Sequence, residues 1–130
     1  MLKVAIIEDE QTIAQMYRMK LESEGFAVEV ADNGQTGIEM VAGSMPDMIL
    51  LDIQMPEMNG VEALRQIRKL PGGQKVPVII LTNLGRQEAP KDLESLGVDS
   101  YIVKADLTPR QVVDRVKQTL GVTPDSPDPK

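Results

Sequence analysis

Five short apolar runs divide this chain, and each is followed by a polar loop and then by apolar residues at helical spacing. The runs are residues 4–7, 27–31, 48–51, 78–81 and 101–103. Short continuous runs of aliphatic and β-branched residues are typical of strands that are buried on both faces of a parallel sheet. Strict alternation of strand and helix therefore predicts a doubly wound α/β fold, in which helices cover both faces of a parallel sheet.

The helical stretches between the runs have recognisable ends. The first four are predicted over residues 11–24, 35–41, 60–69 and 87–96. The fifth helix is the best marked, with Thr108 as N-cap, Pro109 at the first helical position and Gln111 completing a capping box. Pro90 must lie in the first turn of the fourth helix or break it, because proline lacks the N–H that a helix interior requires.

The length of 130 residues is about that of one domain. Apolar residues make up 42% and charged residues 26%, which is ordinary for a globular protein and argues against disorder. We expect one domain over residues 1–121. Residues 122–130 are rich in proline and aspartate and are predicted to form a flexible tail or the remnant of a linker.

Composition excludes several classes of function. The chain has no cysteine and no histidine, so thiolate or imidazole metal sites and Ser–His or Cys–His catalysis are excluded. A net charge of −6 and only 2% aromatic residues disfavour direct binding to nucleic acid. No apolar run has the length of a membrane helix or signal peptide, so no membrane association and a cytoplasmic location are expected.

Charged and hydroxyl side chains follow four of the five predicted strands. They are Glu8 and Asp9, Asp52, Thr82, and Lys104. Because the carboxyl ends of parallel strands meet at one edge of the sheet, we expect these side chains to lie together. Mg²⁺, or Mn²⁺ as an alternative ion, would offset the excess of negative charge. Asp52 is then suited to act as a carboxylate nucleophile, with Thr82 and Lys104 binding a phosphoryl group.

Four stretches in order also carry a resemblance to a known family. They are residues 4–9 (VAIIED), 46–60 (PDMILLDIQMPEMNG), 78–82 (VIILT) and 97–104 (GVDSYIVK). Over residues 2–121 the chain resembles the receiver domain of two-component response regulators. The resemblance implies a flavodoxin-like (βα)5 sheet with the strand order 2-1-3-4-5.

The resemblance also implies a role for individual residues. Asp52 would be the phosphoacceptor, taking its phosphoryl group from a sensor histidine kinase or a histidine phosphotransfer protein. The implied metal ligands are Glu8, Asp9, Asp52 and the backbone carbonyl of Gln54; the phosphoryl-binding residues are Thr82, Asn83 and Lys104; the switch pair is Thr82 and Tyr101. For Tyr101 the alternative is an ordinary aromatic residue on a strand.

The implied partners extend beyond the phosphodonor. The fourth helix, fifth strand and fifth helix would form a face that binds a downstream protein target or an output domain, or that forms a phosphorylation-dependent homodimer. The chain would not be an enzyme beyond its own phosphorylation and dephosphorylation at Asp52. It is either a single-domain regulator or a receiver excised from a longer protein.

Several residues depart from the family pattern, among them Glu8, where the acidic pair is more commonly Asp-Asp, and the residues after Thr82 and Lys104. The family usually has proline after its lysine, with a cis peptide bond, whereas this chain has Ala105. We expect the site to hold the Lys104–Ala105 bond cis despite a cost of about 3–4 kcal/mol. Asn83 replaces a very small residue after Thr82, where its amide can donate to the phosphoryl group.

Three other functions are alternatives to a phosphoacceptor receiver. A pseudo-receiver that binds partners without phosphorylation remains an alternative. An aspartyl-phosphate phosphatase is less favoured, because the acid that it needs two residues after the nucleophile is replaced by Gln54. A flavin or mononucleotide binder is disfavoured, because the loop after the first strand is acidic and would repel phosphate.

Overall fold

The computed structural model describes residues 1–122 and arranges five strands in a single parallel sheet. The strands are β1 (Lys3–Ile7), β2 (Ala27–Ala31), β3 (Met48–Leu51), β4 (Val78–Thr82) and β5 (Ser100–Val103). Their order across the sheet is β2-β1-β3-β4-β5, which confirms the predicted topology. The order reverses between β1 and β3, so a crevice opens beyond the carboxyl ends of these two strands. Residues 123–130 of the predicted tail lie outside the described residues.

In the described part of the chain, five helices connect and follow the strands. They are α1 (Gln11–Ser23), α2 (Gly34–Gly43), α3 (Gly60–Arg68), α4 (Asp92–Ser95) and α5 (Pro109–Thr119). The predicted start of α5 is confirmed: the Gln111 N–H donates to Thr108 Oγ1 at 3.2 Å, and the Thr108 N–H donates to Gln111 Oε1 at 2.8 Å. Within residues 1–122, no helix combines the length and apolar character needed to cross a membrane.

The fourth helical segment differs from the continuous helix predicted over residues 87–96. It consists of a 3₁₀ turn (Arg86–Glu88) and the single turn α4, and Pro90 lies between them. The proline ring clashes with the preceding helical turn and offers no N–H, so it separates the two pieces. Of the two alternatives for Pro90, the break is therefore correct.

The core has two layers, one on each face of the sheet. Successive side chains of a strand point to opposite faces, so each strand contributes to both layers. The layer under α2 and α3 includes Ala5, Ile7, Ile49, Leu51, Val78 and Ile80, and the layer under α1 and α5 includes Val4, Ile6, Met48, Leu50, Ile79 and Leu81. Burial on both faces explains why these strands read as continuous apolar runs rather than alternating ones.

The expected cis peptide bond at Lys104–Ala105 is wrong. Every peptide bond within residues 1–122 is trans. Alanine forms a secondary amide, for which trans is favoured by about 3–4 kcal/mol, and the residues around Lys104 do not override that preference.

Candidate functional site

Backbone hydrogen bonds between neighbouring strands align the residues that follow β1, β3 and β5. The Asp52 N–H donates to the Ile7 carbonyl at 3.0 Å, and the Lys104 N–H donates to the Thr82 carbonyl at 2.7 Å. Each functional side chain thus emerges just beyond the regular ladder, at the same edge of the sheet. This alignment brings Glu8, Asp52 and Lys104, which follow three different strands, into contact with one another.

The centre of the site is a cluster of carboxylates. One oxygen from each of Glu8, Asp9 and Asp52 lies within 4.8 Å of the others. Glu8 is 3% exposed and Asp52 is 5% exposed, so water screens their mutual repulsion only weakly. Two backbone N–H groups offset part of this charge: Glu10 donates to Glu8 Oε2 at 3.1 Å, and Gln54 donates to Asp52 Oδ1 at 3.0 Å.

Lys104 supplies positive charge to this cluster. Its Nζ lies 2.7 Å from Glu8 Oε1, 3.5 Å from Asp52 Oδ2 and 3.5 Å from Glu10 Oε1. Burial and the charge of Asp52 raise the pKa of Glu8 to about 7, although the Lys104 ammonium opposes the shift. Burial alone would lower the pKa of Lys104, but its carboxylate partners outweigh that effect and raise it. The ammonium therefore stays charged, whereas Glu8 exchanges a proton near neutral pH.

The donor set fits a hard divalent cation. The three clustered carboxylates supply oxygen ligands, which Mg²⁺ and Mn²⁺ prefer. The single positive charge of Lys104 offsets only part of the negative charge of these three carboxylates. A cation bound among them would relieve the repulsion that remains. The predicted ligands Glu8, Asp9 and Asp52 are thus brought together. Gln54 contacts the site through its N–H, while the role of its carbonyl stays a prediction.

The loop after Asp52 is folded tightly onto that residue. The Gly60 N–H donates to the Ile53 carbonyl at 3.1 Å, and a Cβ at Gly60 would lie 2.3 Å from the Asp52 carbonyl oxygen. Only glycine tolerates that approach. Asn59 then caps α3 by accepting from the Glu62 N–H at 3.0 Å. The start of α3 is therefore attached directly to the strand end that carries Asp52.

Thr82 and Tyr101 are connected through Leu84. Thr82 is fully buried at the end of β4, and its Oγ1 accepts from the Leu84 N–H at 3.3 Å. The hydroxyl of Tyr101 donates to the carbonyl of the same Leu84 at 2.8 Å. Burial, with the charge of Glu88 next in importance, raises the pKa of Tyr101, so the hydroxyl keeps its proton. Asn83, which stands between Thr82 and Leu84 in the chain, is exposed.

Three residues near the site were not singled out from the sequence. Glu10 contacts Lys104, Leu84 joins the predicted switch pair, and Tyr17 is buried close enough for Lys104 and Glu8 to influence its pKa, which burial raises. The position of Glu10 beside the acidic pair could have indicated its involvement. Nothing in the local sequence marks Leu84, because its contribution is a backbone group.

A family model and curated relatives match most of this chain in sequence. The family model described as "Response regulator receiver domain" matches residues 4–117. The chain is 39% identical over 118 residues to the transcriptional regulatory protein ResD of Bacillus subtilis (strain 168), covering 91% of this chain and 48% of ResD. It is 33% identical over 118 residues to the phosphate regulon transcriptional regulatory protein PhoB of Rhizobium meliloti (strain 1021), covering 91% of this chain and 52% of PhoB. It thus spans about half the length of these curated relatives.

Solved structures show the same fold. The Vibrio cholerae chemotaxis protein CheY4 superposes with a TM-score of 0.84 at 25% identity, covering 91% of this chain and 98% of CheY4. The response regulator protein TrrA from Thermotoga maritima, in complex with Mg²⁺-BeF, superposes with a TM-score of 0.78 at 28% identity, covering 91% of this chain and 98% of TrrA.

Proposed function

Because the chain belongs to the response regulator receiver family, we propose that it accepts a phosphoryl group on Asp52 and thereby changes a protein-binding face. The observation that carries the proposal is the environment of the Asp52 carboxylate. This carboxylate belongs to a residue that is 5% exposed, and one of its oxygens lies within 4.8 Å of oxygens of two other carboxylates. Lys104 Nζ lies 3.5 Å from Asp52 Oδ2. A structural aspartate would pair with one cation or cap a helix, whereas this group faces an excess of like charge.

The transfer is a substitution at phosphorus. An oxygen of Asp52 forms a bond to phosphorus while the bond from phosphorus to the donor nitrogen breaks, and the donor keeps that electron pair and takes up a proton. The Gln54 N–H holds Asp52 Oδ1, which orients the carboxylate before attack. Lys104 would exchange its 2.7 Å contact with Glu8 for a phosphoryl oxygen.

We propose that Glu8, Asp9 and Asp52, with the backbone carbonyl of Gln54, hold Mg²⁺. When bound, the ion neutralises charge on the phosphoryl oxygens. The Mg²⁺-BeF complex of TrrA supports this assignment for a protein of the same fold. Glu8 and Asp9 would set the charge of the acidic side of the site, while Thr82, the last residue of β4, and Asn83, the residue after it, would donate hydrogen bonds to the phosphoryl group.

The proposed switch runs through Leu84. A hydrogen bond donated by the Thr82 hydroxyl to a phosphoryl oxygen would draw the side chain toward the phosphate and lengthen the 3.3 Å bond that Thr82 Oγ1 accepts from the Leu84 N–H. The displaced loop would carry the carbonyl to which Tyr101 donates, so Tyr101 would move with it. A groove of about 580 Å³, lined by Tyr101, Pro90, Leu93 and Arg115 among others, lies on that face. The readout is therefore the surface formed by α4, β5 and α5.

The phosphodonor we propose is a sensor histidine kinase or a histidine phosphotransfer protein. The relatives ResD and PhoB are transcriptional regulatory proteins about twice as long as the matched region. The surface formed by α4, β5 and α5 would accordingly contact a downstream protein target or an output domain, or a second phosphorylated copy. Activity in this chain would be limited to phosphorylation and hydrolysis at Asp52.

Intact-mass measurement after incubation with acetyl phosphate and Mg²⁺ tests the proposal. We expect the mass of one phosphoryl group to be added, Asp52→Ala to abolish the addition, and EDTA to prevent it. Asp47→Ala is the matched control, because Asp47 is exposed and precedes the same strand at its opposite end. Labelling that persists in Asp52→Ala would exclude Asp52 as the acceptor, and a chain that is never labelled would be a pseudo-receiver.

A further inference from the structure

The side chain of Arg68, the last residue of α3, joins two loops that are distant in sequence. Its Nε donates to the Leu96 carbonyl at 2.7 Å and its Nη2 to the Gly97 carbonyl at 2.9 Å. Its Nη1 donates to the carbonyls of Gly73 at 2.9 Å and Val76 at 2.7 Å. One guanidinium thus holds the connection from α3 to β4 and the connection from α4 to β5 at the same time.

The turn that Arg68 holds has weak hydrogen bonds of its own. The N–H groups of Leu93, Glu94, Leu96 and Gly97 each donate to the carbonyl three residues earlier, at 3.1–3.4 Å. The last carbonyls of a helix have no partner within the helix, and here Arg68 supplies partners at shorter distances than the turn's own bonds. Bonds from a charged donor are also stronger than neutral ones. The carboxyl end of α4 therefore depends on α3.

The two ends of the segment before β5 differ in how they are held. At its start, the 3₁₀ turn Arg86–Glu88 is exposed throughout and is followed by Pro90. Arg65 reaches Asp92 at 2.9 Å, but both side chains are solvent-accessible, so that pair contributes little. At its end, Leu93 is buried and Arg68 makes its bonds to Leu96 and Gly97.

We propose that Arg68 is a positioning residue of the phosphorylation switch. It fixes residues 96–97 against α3, so that movement beginning at Thr82 is taken up in residues 83–90 and α4 pivots about a held end. The start of α3 packs against the Asp52 carbonyl through Gly60. Because α3 also carries Arg68, the carboxyl end of α4 is held in a fixed position relative to Asp52. This inference rests on the proposed function, since it concerns how that movement is distributed.

Amide hydrogen exchange with and without Mg²⁺ and beryllium fluoride tests the inference. In the wild-type chain, we expect the ligand-induced difference to be concentrated in residues 83–90. In Arg68→Lys the difference should extend into residues 91–99 and grow there by about tenfold, because one ammonium keeps the charge but cannot reach carbonyls of both loops. Arg65→Lys is the matched control on the same helix and should resemble the wild type.

The quantity compared is the difference in amide exchange between the protein with Mg²⁺ and beryllium fluoride and the protein without them. If Arg68 had only a structural role, its replacement would change exchange equally in both states. A wild-type response that Arg68→Lys leaves unchanged would overturn the positioning role alone. No ligand-induced change anywhere in the wild type, together with no labelling by acetyl phosphate, would overturn the proposed function as well. If Arg68→Lys does not fold, a wild-type difference in residues 91–99 as large as that in residues 83–90 is sufficient to overturn the proposal.

Discussion

Replacing Asp52 with asparagine should make the metal-free protein more stable. An oxygen of Asp52 lies within 4.8 Å of one from Glu8 and one from Asp9, and Lys104 Nζ lies at 3.5 Å. With an effective dielectric constant of about 20, each repulsion is at least about 3.5 kcal/mol and the attraction is about 4.7 kcal/mol. The neutral amide is therefore favoured by about 2 kcal/mol, and release from the cost of burying a charge acts in the same direction.

The substitution leaves the other contacts of the site in place. The amide oxygen of asparagine can still accept from the Gln54 N–H, and Lys104 keeps its 2.7 Å contact with Glu8. Thermal unfolding in EDTA at about pH 8, where Glu8 is ionised, should show a midpoint about 7 °C higher for Asp52→Asn than for the wild type. Asp47→Asn, at the other end of β3, should leave the midpoint unchanged.

Lower pH and added metal should both remove the advantage of Asp52→Asn. Near pH 5.5, Glu8 is protonated in the native state because its pKa is about 7, so one of the two repulsions is absent and the calculated gain falls by about 3.5 kcal/mol. A metal ion at one hundred times its dissociation constant would stabilise the wild type by about 2.7 kcal/mol, and the variant less. If Asp52→Asn is the less stable protein at about pH 8 in EDTA, the electrostatic reasoning is wrong.

Three further predictions concern single positions. Gly60→Ala should lower the free energy of unfolding by more than about 3 kcal/mol in urea titration, because its Cβ would clash with backbone, whereas Gly43→Ala, with nothing within 4 Å, should be neutral or stabilising. Without metal, the free energy of unfolding should fall as pH rises from 4.5 to about 7, because native Glu8 binds its proton more tightly than the unfolded chain does. Glu8→Gln should flatten that pH profile, and an unchanged slope would refute the assignment. Thr108→Ala should cost about 1 kcal/mol by calorimetry, through loss of the α5 cap.

Much of the site followed from the alternation of strands and helices. Glu8, Asp52, Thr82 and Lys104 each follow an apolar run, and residues that follow parallel strands lie at the same edge of the sheet, whatever path the connecting loops take. The capping box at Thr108 was equally readable, because its donors and acceptors lie within four consecutive residues. The sequence by itself therefore determined the fold class, the acidic edge of the sheet and the residue proposed as acceptor.

The tertiary structure decided what depends on the path of the loops. The Leu84 bridge and the Arg68 bonds use backbone carbonyls, which no residue type announces and which contact only after distant segments have packed. The break at Pro90 was one of two alternatives, and the bond before Ala105 was expected to be cis but is trans; in both places local preference competed with the surroundings of the residue. Whether two groups far apart in sequence interact depends on differences of a few tenths of an ångström in the distance between them, and only the packed chain sets that distance.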